Sequence, residues 1–277
     1  MRALETQVFD ALWKSVEARI PVPPDNHPKG GHRRRLSNRL CFRAMIIRLV
    51  TGASWVDVEA MLDRRVSDTT LRRRWKEWTE AGVFDATFEE ALGAYDRVIG
   101  LDFSDCALDG SQHKAPVGGE GTGKNPTDRA KTGWKWSLLT DRNGIPLGWA
   151  TAGANRNDSE LFGPTLASAE ERGLLAEIET LHLDKGYDSA AVRRLVDEVG
   201  IPDLVAARKT QPGEVKTKRQ GRGLRWPVER THSWFINFGQ LRRSTERRVA
   251  YRLAHIALAV SLLLVAKLMD CRDRWCR

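Results

Sequence analysis

Four cysteines in 277 residues, Cys41, Cys106, Cys271 and Cys276, are too few and too scattered for a disulfide framework. Their usage fits a reducing cytosol. Cys271 and Cys276 lack the CxxC spacing of a zinc knuckle, and only His255 lies near them in sequence. Long hydrophobic runs are also missing. The longest, Ile256 to Ala266, falls short of the ~20 residues a bilayer-spanning helix needs. A buried C-terminal helix and no membrane partner are expected. No signal pattern opens the chain, because Glu5 and Asp10 interrupt its start. Gly121-Thr122-Gly123-Lys124 lacks the GxxxxGK[ST] spacing and the preceding strand of a phosphate-binding P-loop.

What the chain does have is positive charge. Lys and Arg number 45 against 36 acids, a net charge of +9. Such a surface favours a polyanion, nucleic acid or an anionic membrane. Residues 3–18 show helical spacing at Leu4, Val8, Leu12 and Val16. Prolines and glycines then break residues 20–35, where Arg33-Arg34-Arg35 makes either an arm along phosphates or a solvated linker. Three short helices follow between Ser37 and Gly82. The first carries Leu40, Met45, Ile46 and Leu49. Ser54 caps the second, with Trp55, Val58 and Met61. Ser67 or Asp68 caps the third, with Leu71, Trp75 and Trp78 at i, i+4 and i+7. The last two suggest a helix-turn-helix. Arg72, Arg73, Arg74 and Lys76 fall on the other side of the third helix, as on a DNA-recognition helix. A further helix around Phe88–Val98 completes a small all-α region, residues 1–99.

From Gly100 the pattern changes. A strand is expected to end at Asp109, a second to cover Trp134 to Thr140 and a third Ile145 to Thr151, with a hairpin at Asp141-Arg142-Asn143-Gly144. A helix from Asp158, a strand ending at Asp184, a helix over 189–199, a strand Asp203–Ala207 and a helix opening at Trp226-Pro227 follow. The order β-β-β-α-β-α-β-α predicts an α/β catalytic domain over 100–277. It has a mixed five-stranded sheet flanked by helices, as in the ribonuclease H-like fold. The apolar stretch from Ala250 to Met269 is expected to pack on that sheet or to form a subunit interface.

Asp109 and Asp184 would then meet at one sheet edge, where ligand sites of α/β sheets form. Glu229, in the first turn of the last sheet-facing helix, would turn back toward them. Three convergent carboxylates suit Mg²⁺ or Mn²⁺, which prefer hard oxygen ligands. Two such ions about 3.5–4 Å apart can serve phosphodiester chemistry. Between Arg208 and Arg252, thirteen Lys or Arg face three acids, and the Gly- and Lys-rich loop Thr210–Leu224 has little to bury. A polar loop, His113–Lys131, follows Asp109. His113 and Lys114 there are expected near the site, His113 as a phosphate contact or plain loop residue rather than a general base.

Leu108-Asp109-Gly110-Ser111, then Leu183-Asp184-Lys185-Gly186-Tyr187-Asp188-Ser189, then Arg225-Trp226-Pro227-Val228-Glu229-Arg230 resemble the DDE transposases of bacterial insertion sequences. Thr51-Gly52-Ala53-Ser54-Trp55 and Trp78 through Asp85 resemble the N-terminal region of the same family, in its "insertion sequence five" group. Glu229 follows Asp184 by 45 positions, in keeping with a catalytic domain that no large β insertion splits. The resemblance implies that Asp109, Asp184 and Glu229 form a catalytic triad holding two Mg²⁺ or Mn²⁺ ions. It implies double-stranded DNA as partner, both transposon ends and target, and a homodimer on DNA in the bacterial cytoplasm, at the nucleoid. The family's Tyr-Arg-Glu-Lys signature is matched by Arg225 and Glu229; Arg222 and Ile236 stand in its Tyr and Lys positions. Arg230, Arg242 or Arg243 would substitute for that Lys on DNA, alongside Lys185, Tyr187 and Arg225.

Overall fold

The computed structural model describes residues 4–22, 35–206 and 225–275. Arg33, Arg34, the Thr210–Leu224 loop, Arg222 and Cys276 lie outside them. The elements in chain order are α1 (Thr6–Glu17), α2 (Asn38–Thr51), α3 (Trp55–Met61), α4 (Asp68–Glu80), α5 (Val83–Val98), β1 (Cys106–Lys114), β2 (Gly123–Lys124), β3 (Thr132–Thr140), β4 (Pro146–Gly153) and α6 (Ser159–Glu170). Then come β5 (Thr180–Leu183), α7 (Ala190–Glu198), β6 (Asp203–Ala206), α8 (Trp226–Phe235), α9 (Gly239–Arg242) and α10 (Val249–Trp275). Two compact units emerge. One joins Met1–Ile99 to Asn237–Arg277, and the other is Gly100–Ile236.

The helical unit is built on caps and aromatic packing. Ser37, Ser54 and Ser67 accept hydrogen bonds from the backbone N–H of Leu40, Asp57 and Thr70, and Asp57 returns the bond to Ser54 in a capping box. On α4, Leu71, Arg74, Trp75 and Trp78 are buried. Arg74 was expected outside with its neighbours. It sits inside because 71, 74, 75 and 78 share one helical face. Met61, expected inward, is exposed. A buried ion pair, Arg48 to Glu246 at 2.7 Å, ties α2 to the segment before α10.

The last helix corrects two expectations. It packs on α5, α1, α4 and α9 in the helical unit rather than on the sheet. Its apolar faces from Ala254 to Leu264 fill the space between those helices. It also runs 27 residues, so by length and composition it could cross a bilayer, although 67% of its most apolar stretch is buried inside the protein. His255 lies fully within this core, stacked on Trp75 with centroids 4.4 Å apart, and neither ring nitrogen has a hydrogen-bond partner.

In the second unit the sheet order is β4-β3-β1-β5-β6, and the two-residue β2 adds a sixth strand on β3. The first three of these pair antiparallel; β1–β5 and β5–β6 pair parallel. This is the ribonuclease H-like arrangement. Residues 133–140 of β3 are all buried, as befits a central strand covered on both faces. Helix α6 lies on β3 and β4, and α8 on β1 and β3. Leu108, Leu139, Leu147, Phe162, Leu166, Leu181 and Val192 form the core between sheet and helices.

The hairpin turn does more than reverse the chain. Only Gly144 takes a positive φ, +73°, so the turn is not the two-residue Asn-Gly type. The Asp141 carboxylate accepts from Ile145 N–H at 2.7 Å and from Asp102 N–H at 3.2 Å. The Thr231 hydroxyl of α8 donates to the Gly144 carbonyl at 2.5 Å. A methyl group at Gly144 would lie 2.8 Å from the Pro227 carbonyl oxygen, the first turn of α8. The turn and α8 therefore fit only with glycine between them.

Gly144→Ala should lower stability by about 1–2 kcal/mol from backbone strain alone, read by urea unfolding, and should loosen α8. Burial holds the His255 pKa well below 6.5, and those of His113 and His232 at about 3 and 4. At these three histidines the unfolded chain therefore binds more protons below pH 6.5. The histidines' share of stability should be complete above that pH and fall beneath it, by about 1.4 kcal/mol per pH unit for each, while Asp109 and Asp141, both raised to about 6 by burial, act in the opposite sense below that pH. His255→Phe should remove one histidine's share of that slope in urea melts at stepped pH.

Candidate active site

Asp109 was expected at the end of its strand; the structure places it in the middle. β1 runs on to Lys114 because it pairs with β3 throughout, as far as Lys114 opposite Gly133. The parallel ladder to β5, however, stops at Leu108 opposite Leu183. Asp109 is the next residue of β1 and Asp184 the first residue beyond β5, so both follow directly where the parallel ladder ends. Asp184 caps the short turn Lys185–Tyr187, accepting from Lys185 N–H at 2.7 Å.

The third carboxylate comes from α8, with Pro227 in its first turn. Arg225 immediately precedes that helix, and its guanidinium reaches all three acids. The distances are 3.3 Å to Asp184 Oδ1, 3.4 Å to Glu229 Oε1 and 3.7 Å to Asp109 Oδ2. The side chains of Asp109, Asp184 and Glu229 are 18%, 38% and 55% exposed, so the cluster opens from a buried floor to solvent.

Burial pushes the Asp109 carboxyl up to about 6, against the pull of Gly110 N–H and Arg225, with Asp184 and Asp158 raising it further. Burial disfavours the ionised form of this carboxyl, and a positive charge beside it favours that form. Among the described residues no three His, Cys, Asp or Glu side chains stand in a ready metal cage. Instead a cationic side chain stands between the three acids. Oxygens that converge on one guanidinium are a hard, anionic donor set able to converge on a divalent ion, so the residues present fit Mg²⁺ or Mn²⁺.

Other groups complete the site. His232, one turn beyond Glu229, accepts from Trp136 Nε1 at 3.0 Å through Nδ1, which puts its proton on Nε2, 3.9 Å from Asp109 Oδ2. The buried Lys135 donates to Asp158 Oδ1 at 2.8 Å and to the Arg156 carbonyl at 2.6 Å. A Cβ at Gly110 would lie 2.7 Å from the same Asp158 oxygen, so Gly110 lets the acid approach the strand. Sequence reading missed His232, Trp136 and Lys135, and took Asp158 only for the start of a helix. One signal was there: Glu229 and His232 are three apart on a helix and so share a face.

The expected DNA contacts divide. Arg72, Arg73, Lys76, Lys114, Lys185, Arg242 and Arg243 are exposed. Arg72 is paired with Asp68 at 3.0 Å and Lys76 with Glu80 at 3.9 Å. Three others are corrected. Tyr187 is 2% exposed, in the core beneath the Asp184 turn. His113 is buried and stacked on Trp136 at 3.5 Å, inside β1 rather than in a loop. Arg74 is buried and bonded to Glu77. Arg230 lies over the rings of Trp226 and Trp234 and donates to the Asn143 carbonyl. Arg242 and Arg243 belong to the helical unit.

The family model described as "Transposase DDE domain" matches residues 100–264, and one described as "Putative transposase of IS4/5 family" matches residues 8–88. The chain is similar to the "Putative transposase for insertion sequence element IS402" of Burkholderia cepacia, 40% identical over 147 residues, 51% of this chain and 67% of that protein. It is similar as well to the "Insertion element IS402 uncharacterized 16.2 kDa protein" of the same organism, 32% identical over 119 residues, 43% of this chain and 80% of that protein. Among solved structures, a piggyBac transposase synaptic complex with hairpin DNA aligns at TM-score 0.45 and 9% identity, covering 98% of this chain and 75% of that one. A Mos1 mariner paired-end complex with Mn aligns at TM-score 0.28 and 11% identity, covering 94% and 85%.

Removing the guanidinium leaves three acids facing one another. Arg225→Ala should lose about 1 kcal/mol, the upper range for exposed pairs, or roughly 2–4 °C in Tm. Added Mn²⁺ should raise the variant's Tm more than the wild type's, because the ion no longer competes with a resident cation. Differential scanning fluorimetry with and without the ion checks both.

Proposed function

Because the chain belongs to the DDE transposase family, we propose that it frees the ends of its own DNA element and joins them to a target, with Asp109, Asp184 and Glu229 as its catalytic triad. The observation that carries this is the convergence of those three carboxylates on one cationic group.

Members of this family depend on divalent metal. Asp109, Asp184 and Glu229 would hold it here, as two Mg²⁺ or Mn²⁺ ions that supply charge neutralisation and an activated oxygen at the phosphate. The chain's own residues do the rest. The floor around Asp109 keeps its carboxyl dry and poised for a cation. Neutral His232, oriented by Trp136, faces Asp109 Oδ2 and limits how that carboxylate turns. Arg225, released from the acids, becomes a free guanidinium beside the scissile phosphate, where its planar fork suits phosphate oxygens. Lys185, exposed next to Asp184, adds a second positive contact.

Two displacements at phosphorus account for the reaction. In the first, the oxygen of water bonds to phosphorus at the element end, the P–O3′ bond breaks, and a 3′-hydroxyl is freed. In the second, that hydroxyl oxygen bonds to a target phosphorus, its proton leaves, and the target strand's own 3′-oxygen departs. Bond count is conserved, and no covalent protein–DNA link is needed. The helical unit, with Arg72, Arg73 and Lys76 exposed on α4, holds the inverted repeat as a helix-turn-helix. Two copies of the chain would act together, one for each end.

Mn²⁺-dependent nicking of DNA carrying the element's ends tests the reading. Asp184→Ala should lose nearly all of the nicking rate while still binding the duplex. Equal nicking by the variant would end the proposal. Nicking without strand transfer into a plasmid would leave a nuclease of the same fold instead.

A further inference from the structure

A concentration of positive charge lies within the helical unit, at the turn between α3 and α4. A cleft of about 420 Å³ opens there, lined by Arg35, Arg64, Arg65, Arg73 and Arg74, with Ser67 at the start of α4. The charge balance inside it is one-sided. Glu77 pairs with Arg35 at 2.8 Å and with Arg74 at 3.3 Å. No carboxylate pairs with Arg64, Arg65 or Arg73 among the described residues. Arg74 is 1% exposed, and its Nε is buried with no hydrogen-bond partner. Arginines that line one cleft repel one another, and solvent alone screens them only in part.

The backbone is bent to make this wall. Asp63 and Arg64 both take positive φ, +52° and +55°, which non-glycine residues rarely adopt in succession. Backbone bonds hold the turn: Arg64 N–H to the Glu59 carbonyl at 2.9 Å and Arg65 N–H to the Leu62 carbonyl at 3.1 Å. The Glu59 carboxylate in turn accepts from Asp68 N–H at 2.7 Å. Strain in an over-determined turn is found where function fixes a geometry. The outer face of α4 differs, since Arg72 and Lys76 each already have an acid there.

We propose that this arginine cleft seats the phosphate backbone of duplex DNA, gripping it through Arg64, Arg65 and Arg73, while the outer face of α4 is left for base edges. The proposal rests on the reading of the chain as a DNA-acting transposase and adds the site that holds the strand in register. Phosphate contacts of this kind carry affinity and salt dependence but no sequence preference.

The test is fluorescence anisotropy of the full chain with two labelled duplexes, one bearing the element's end and one scrambled, across about 50–200 mM salt. The combined variant Arg64→Gln, Arg65→Gln, Arg73→Gln should weaken both duplexes alike. It should also flatten the log–log salt slope by about 2–3, near 0.9 per lost phosphate contact. The corresponding lysine variant should keep the slope, and Arg72→Gln with Lys76→Gln should change the ratio between duplexes more than the slope. Circular dichroism melts confirm that each variant is folded. An unchanged slope in the folded glutamine variant overturns the cleft and leaves the transposase reading standing. Binding of inorganic phosphate alone at the cleft, with DNA affinity untouched, overturns it too. A wild-type chain that binds neither duplex sinks both readings.

Discussion

Three carboxylates crowd one guanidinium, and the sheet unit is arranged to make them do so. Like charges this close are tolerated only when something positive stands among them. Here Arg225 does, from the residue that opens the helix carrying Glu229. The acids come from three elements far apart in sequence, β1, the end of β5 and α8. Their meeting depends on a single register: the parallel ladder that ends at Leu108 and Leu183 and delivers Asp109 and Asp184 together.

The support for that meeting is local and steric. Gly144 lets the β3–β4 turn seat against Pro227 and Thr231, which sets the height of α8. Gly110 lets Asp158 approach β1, while Lys135 neutralises Asp158 from beneath. Trp136 fixes His232 against the inner oxygen of Asp109. The polar groups at the floor of the site are thus pinned by strands or by glycine-sized gaps. The mouth, where Glu229 and Arg225 stand half-exposed, is left able to rearrange when a cation or a phosphate enters.

Much of this was legible in the chain itself. Turn residues and alternating apolar positions located every strand except the two-residue β2, which is too short to show a period. Apolar triplets such as Leu71, Trp75 and Trp78 placed the N-terminal helices. The three acids that meet at Arg225 were singled out because each stands beside a turn signal or a helix start in a basic background, although Asp109 lies within β1 rather than at its end. What failed did so for physical reasons. Strand β1 outlasts Asp109 because its antiparallel partner, not its own pattern, sets its length. Arg74 and Tyr187 look like surface residues by type but occupy buried positions by phase. The destination of α10 cannot be read from its composition, because an apolar helix matches a sheet or a helical bundle equally well. Lys135, a lysine in the middle of a buried strand, makes sense only once Asp158 is seen above it.

The central claim is that residues 109, 184 and 229 act as one cation-binding unit. Mn²⁺ titration followed by electron paramagnetic resonance tests it most directly, with Asp109→Asn, Asp184→Asn and Glu229→Gln measured beside the wild type. The account predicts that each folded variant loses or weakens the same bound ions, so that no two substitutions together do much more than one. Ion binding that survives all three substitutions, or three independent losses that simply add, would contradict it.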